Sequence, residues 1–171
     1  MAMKHIVLIG MMGCGKTTVG RLLAARLGRE LADTDLLIEA REGRPISELF
    51  ALKGEAWFRA RERDLAAELA RRQGLVIACG GGLPLRPDSM GCLRENGIVF
   101  WLKRDPGVTY DALDLTGRPL AQDGRAAFVA RYEQRAPLYR ANADHIIANT
   151  GRPEQAVKAI ADILEREEEA I

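Results

Sequence analysis

An α/β fold with a five-stranded parallel sheet covered by helices on both faces is predicted by two observations. Short apolar runs alternate with longer helical stretches along the chain, and strands joined by right-handed helical crossovers form a parallel sheet with both faces buried. The first apolar run, His5-Ile6-Val7-Leu8-Ile9, also leads straight into Gly10-Met11-Met12-Gly13-Cys14-Gly15-Lys16-Thr17, a complete phosphate-binding loop. Its glycines let backbone N–H groups surround phosphate oxygens, Lys16 brings a point charge to the β- and γ-phosphates, and the Thr17 hydroxyl can ligate Mg²⁺. Val19, Leu22, Leu23 and Leu27 follow at helical spacing, so the new helix points its positive N-terminal end at the phosphates. A bound nucleoside triphosphate is the expectation.

The remaining elements follow in order. Buried strands are expected at Ile6–Ile9, Leu75–Cys79 and Ile98–Leu102, with shorter ones at Glu30–Ala32 and His145–Ala148. Helices are expected over Lys16–Leu27, Asp35–Arg41, Ile46–Gln73 with a break near Gly54, Pro87–Glu95, Gly124–Ala141 and Pro153–Glu168. In the last of these Ala156, Ile160, Ile163 and Leu164 form an apolar stripe, and Glu165–Glu169 a solvated acidic end. In such a sheet the ligand belongs at the strand ends facing the phosphate loop.

The chain of 171 residues suits one domain with a real core. Its 47% hydrophobic and 29% charged residues are ordinary for a globular protein. The net charge of +1 argues against a nucleic-acid partner held by bulk electrostatics. Cys14, Cys79 and Cys92 are odd in number and lack metal-type or paired spacing, which fits free thiols in a reducing cytoplasm. No apolar run approaches the roughly 18 residues of a membrane span, and the N-terminus reads as a strand and lacks the layout of a signal peptide. A cytoplasmic protein with no membrane partner is expected.

Several further groups could carry chemistry. In Asp33-Thr34-Asp35, residues i and i+2 of an extended segment point to one side, so both carboxylates could converge on one site. One could hold a water of the Mg²⁺ shell while the other accepts a proton from an attacking hydroxyl or orients it; alternatively, both cap the helix that follows. Arg59, beside Trp57-Phe58, could grip a carboxylate with its bidentate fork, whereas Arg61, Glu62 and Arg63 read as a solvated, ion-paired face. Gly80-Gly81-Gly82 closes a strand and lets backbone pass close to a ligand, or is simply a flexible turn. Residues 111–124, containing Arg118-Pro119, have weak periodicity and could form a lid that presents an arginine to the transferring phosphoryl group, or a plain surface loop. Arg135 could be a second carboxylate clamp, or a cation placed late in a helix to suit its dipole. His5 and His145 flank strands and read as structural, as do Phe100 and Trp101 in the core.

Taken together, the phosphate loop, Asp33-Thr34-Asp35, Phe50, Gly54-Glu55, Phe58-Arg59, Gly80–Gly82, Arg118-Pro119-Leu120 and Arg135-Ala136-Pro137-Leu138-Tyr139 resemble, in order and spacing, the shikimate kinase family. The resemblance runs from about Lys4 to the last helix. It implies a P-loop fold like that of nucleoside-monophosphate kinases, a mobile lid, a monomer, and ATP-dependent phosphorylation of the 3-hydroxyl of shikimate in aromatic amino-acid biosynthesis. It further implies that Gly13, Cys14, Gly15, Lys16, Thr17, Thr18 and Arg118 bind ATP, with Arg152 and Pro153 bordering the adenine. Thr17 and Asp33 would serve Mg²⁺. Asp35, Arg59, Gly80, Gly81, Gly82 and Arg135 would hold shikimate, and Lys16, Asp35 and Arg118 would carry catalysis. The family's adenine-covering arginine before the lid is missing from Val108-Thr109-Tyr110-Asp111-Ala112, where Tyr110 could stack instead. Two other readings remain at this point. One is a kinase for another small metabolite on the same scaffold; the other is a module that binds ATP without catalysis.

Overall fold

The computed structural model describes residues 3–114 and 123–170. Five parallel strands, β1 (His5–Ile9), β2 (Leu31–Asp33), β3 (Val76–Ala78), β4 (Gly97–Lys103) and β5 (His145–Ala148), form one sheet in the order β2-β3-β1-β4-β5. Strand β1 lies at the centre, hydrogen-bonded to β3 on one side and β4 on the other. All five of its residues are buried, as a strand covered on both faces demands. Val7 and Ile9 join one core with Phe58, Leu65, Leu69, Trp101, Phe128 and Tyr139. Ile6 and Leu8 join a second with Val19, Leu23, Phe100, Val157 and Ile160. The alternation along one strand thus supplies both layers.

The helices are α1 (Lys16–Leu27), α2 (Thr34–Glu42), α3 (Ile46–Lys53), α4 (Glu55–Ala70), α5 (Pro87–Arg94), α6 (Pro106–Asp111), α7 (Arg125–Asn142) and α8 (Pro153–Glu169). The expected break in the long stretch falls at Gly54, which takes φ 83° between α3 and α4, a conformation that only glycine adopts freely. Two elements are not among those expected: α6, a short helix that starts at Pro106 and is capped by Asp105, whose carboxylate accepts from Val108 N at 2.9 Å, and the 3₁₀ turn Leu83–Leu85 after the three glycines. Other boundaries move by one to three residues, which matters only at β2: the strand ends on Asp33, and Thr34 already begins α2.

Candidate active site

The carboxyl ends of β1, β2 and β3 open into a cleft of about 630 Å³. At one end lies the phosphate loop. A Cβ on Gly10 would stand 2.8 Å from the Leu102 carbonyl oxygen, and the residue takes φ 149°, so glycine is required where the loop passes under β4. Lys16 folds back over the loop, its Nζ donating to the carbonyls of Gly10 (2.7 Å) and Met11 (3.0 Å). Cys14 is buried, and its carbonyl accepts from Asn149 Nδ2 at 2.6 Å. Asn149 follows β5 and thereby ties the loop to the far side of the sheet.

Thr17 Oγ1 donates to Asp33 Oδ2 at 2.6 Å. The other carboxylate oxygen of Asp33 accepts from Leu36 N at 3.1 Å and caps α2. Asp33 therefore caps α2, as one reading expected, while its second oxygen faces Thr17. Asp35 does not cap α2; it sits in the helix's first turn and lines the cleft. The i, i+2 extended geometry expected for the pair is not what unites them, because the strand stops at Asp33. The turn from strand into helix swings Asp35 into the site instead. Burial, with the Asp33 charge adding to it, raises its carboxyl to about 6. Gly80 comes so close that a Cβ there would lie 2.5 Å from Asp35 Oδ1, and its N–H donates to Thr34 Oγ1 at 2.8 Å.

At the other end Arg59 lies over the Phe58 ring, 5.5 Å from its centroid, and donates from Nη1 to Glu62 Oε1 at 2.5 Å. Glu62 does not lie on the solvated, ion-paired face expected for it but on the inward side of α4. Its side chain is 1% exposed, against 11% for Arg59. Burial is the main reason its carboxyl rises to about 7, and the Arg59 charge opposes the shift. The signal was present in the sequence: Glu62 falls on the stripe Phe58, Leu65, Ala66 and Leu69 that α4 turns inward. Arg61 and Arg63 do lie outside, paired with Asp64. Arg135 also lines the cleft, with Nη1 3.5 Å from where a Gly81 Cβ would stand. Tyr139, one turn further along α7, donates its hydroxyl to the Gly81 carbonyl at 2.7 Å and fixes the glycine turn.

The cleft therefore brings together Gly13, Gly15, Lys16, Thr17, Thr18, Asp33, Asp35, Arg59, Gly80, Gly81, Gly82 and Arg135. Arg152 and Pro153, at the start of α8, do not line it. Tyr110 is partly buried against the core, its ring 5.5 Å from that of Phe128, and does not line the cleft. Arg118 and most of the expected lid lie outside the described residues. His5 is buried and accepts from Leu75 N through Nδ1, and His145 pairs with Glu167. Both are structural. Among the described residues no group of three or more His, Cys, Asp or Glu side chains is placed to hold a metal. A magnesium ion carried mainly by phosphate oxygens and water needs only a hard oxygen donor or two, and the adjacent oxygens of Thr17 and Asp33 fit that demand.

Comparison with known proteins agrees with this geometry. The family model for shikimate kinase matches residues 12–165. A shikimate kinase of Burkholderia lata is 45% identical over 152 residues, covering 87% of this chain and 82% of that protein. One from Symbiobacterium thermophilum is 42% identical over 170 residues, 96% and 97% of the two chains. The solved structure of Acinetobacter baumannii shikimate kinase in complex with shikimate superposes with a TM-score of 0.91 at 35% identity, covering 96% of this chain and 94% of that one. With the family model matched over most of the chain, relatives above 40% identical and the same fold at a TM-score of 0.91, this protein belongs to the shikimate kinase family of ATP-dependent kinases.

Proposed function

We propose that this chain transfers the γ-phosphoryl group of ATP to the 3-hydroxyl of shikimate, giving shikimate 3-phosphate and ADP. One observation carries the reading: a single cleft is lined by the phosphate loop, Asp35 and the guanidiniums of Arg59 and Arg135. At the phosphate end the N–H groups of the loop and the start of α1 receive the β- and γ-phosphates, and Lys16 exchanges its carbonyl partners for phosphate oxygens. Thr17 and Asp33 would hold Mg²⁺, which supplies neutralisation of phosphate charge when bound. At the acceptor end Arg59 and Arg135 grip the carboxylate of shikimate, and Gly80–Gly82 let backbone lie against its ring.

Asp35 orients the attacking hydroxyl and accepts its proton. The oxygen then forms a bond to the γ-phosphorus as the bond from that phosphorus to the β,γ-bridging oxygen breaks, leaving ADP. A carboxyl raised to about 6 is ionised at neutral pH yet a better proton acceptor than an ordinary aspartate. Positioning and charge neutralisation do the rest. Arg118 belongs to this reading on the family likeness alone, as a cation brought to the transferring group by a lid over residues 111–124. The same likeness supports a single-domain monomer acting in the cytoplasm, with no nucleic-acid or membrane partner; among the described residues no helix is long and apolar enough to cross a membrane.

The test is ADP release with Mg²⁺-ATP and shikimate, against a panel of sugar acids and nucleoside monophosphates. Turnover that requires shikimate and disappears in Asp35→Ala is expected. Turnover only with another panel member would overturn the acceptor assignment, and ATP binding without turnover on any acceptor would leave a non-catalytic module.

A further inference from the structure

The phosphate end of the cleft contains a cation for which the roles above provide no task. Arg104 follows the last residue of β4 and lines the cleft with Gly13, Gly15, Thr109 and Leu113. It is half-buried, and its Nε is buried with no hydrogen-bond partner. The carboxylates nearest in sequence are engaged elsewhere: Asp105 caps α6, and Asp111 pairs with Arg125 at 3.0 Å. Among the described residues no carboxylate pairs with Arg104. Arg59, by contrast, donates to the Glu62 carboxyl group. Desolvating a guanidinium N–H with nothing to accept from it is unfavourable, so the position is explained by an anion that arrives later.

The surroundings say which anion. The backbone beside Arg104 is joined to the phosphate-loop side of the sheet: Asn149 N donates to the Lys103 carbonyl at 2.9 Å, and Asn149 Nδ2 holds the Cys14 carbonyl. Leu102, two residues earlier, packs its carbonyl over Gly10. Arg59 stands beside Gly82, and Arg135 lies between Gly81 and Met11; both are already assigned to the acceptor, which leaves Arg104 as the unassigned cation. We propose that Arg104 is a nucleotide-binding residue whose guanidinium contacts the phosphate chain of ATP and ADP, adding a cation from β4 to the one that Lys16 supplies from the loop. The proposal rests on reading this end of the cleft as the nucleotide site and is independent of the acceptor's identity.

The experiment is calorimetric titration of MgADP, adenosine and shikimate, each alone, into the unaltered protein, Arg104→Met and Arg104→Lys. Arg104→Met is expected to weaken MgADP about tenfold to a hundredfold, the range for a charge-assisted hydrogen bond. Adenosine and shikimate binding stay within twofold, and Arg104→Lys recovers part of the loss. Because the replaced group has no partner in the unliganded fold, thermal stability in Arg104→Met is unchanged or higher. Unaltered MgADP affinity in Arg104→Met overturns the proposal. So does an equal loss for adenosine, which would put the contact on the nucleoside, and so does a joint loss of shikimate binding and thermal stability, which would make the residue structural. If the unaltered protein binds shikimate but no MgADP, the nucleotide reading falls and Arg104 with it; if MgADP binds normally and only Arg104→Met has no effect, the function stands and this assignment alone is wrong.

Discussion

Asp35→Asn should yield a protein that is inactive and more stable. Burial and the neighbouring Asp33 charge raise the Asp35 carboxyl from 3.8 to about 6, which disfavours its ionised form in the fold by about 3 kcal/mol. A raised carboxyl favours folding in its protonated form. That contribution is fully present below pH 4 and is lost as the pH climbs through 6. Asparagine has nearly the same shape and no charge, so the variant escapes the loss. Its advantage grows from near zero at pH 4 to about 3 kcal/mol above pH 7. At about 2–4 °C per kcal/mol for a chain of this size, the melting temperature at pH 8 rises by about 6–12 °C. Thermal unfolding of both proteins at pH 4 and pH 8, with ADP release measured on the same samples, tests this. An equal melting difference at the two pH values, or a less stable variant at pH 8, would refute the claim that the protein holds a disfavoured charge at this site.

Four further outcomes follow from the same geometry. In the unaltered enzyme kcat/KM for shikimate falls about tenfold for each pH unit below 6 as Asp35 takes up its proton; a profile flat to pH 5 would remove Asp35 as the proton acceptor. Gly80→Ala puts a Cβ against Asp35 Oδ1 and lowers kcat by about a hundredfold through misplacement of the carboxylate, with far-ultraviolet circular dichroism unchanged. Glu62→Gln removes the charge that holds Arg59 and raises KM for shikimate several-fold while kcat changes little, as steady-state kinetics will read. Asn149→Ala strands the buried Cys14 carbonyl; it lowers stability by about 1–3 kcal/mol in a denaturant titration and raises KM for ATP.

The parts legible in the sequence were those written as local pattern. The phosphate loop, the strand before it and the helix after it are contiguous, so Gly10–Thr17 announced both a structure and a ligand. The break at Gly54 and the strands at Ile6–Ile9 and Ile98–Leu102 were equally plain from glycine chemistry and apolar runs. Glu62 was misread because charge was weighed above position: it occupies an inward step of α4, and only the folded chain shows that Arg59 accompanies it. Asp35 reaches the cleft by a route other than the expected one, since alternation along a strand cannot apply to a residue already in a helix. Arg104 carried no motif at all. Its importance comes from β4 ending beside the phosphate loop, which is a matter of sheet order. Helix α6 was too short, at Pro106–Asp111, for its periodicity to register.

The position of β1 at the centre of the sheet divides the molecule into halves that can diverge independently. On the roles proposed above, the nucleotide-side groups follow β1 and β4, with Asp33 at the end of β2, whereas Arg59 and Gly80–Gly82 sit on α4 and the turn after β3, and Arg135 reaches the cleft from α7. Rewriting α3, α4 and three glycines would retune what is phosphorylated without disturbing how ATP is held. On the proposed function Asp35 serves both tasks, so a change there would disturb both. For inhibitor design the same division separates selectivity from potency. A compound confined to the phosphate loop meets features that any loop of this kind presents. One that reaches past Asp35 to the Arg59–Glu62 pair meets a buried, charge-matched recess that belongs to the acceptor half alone.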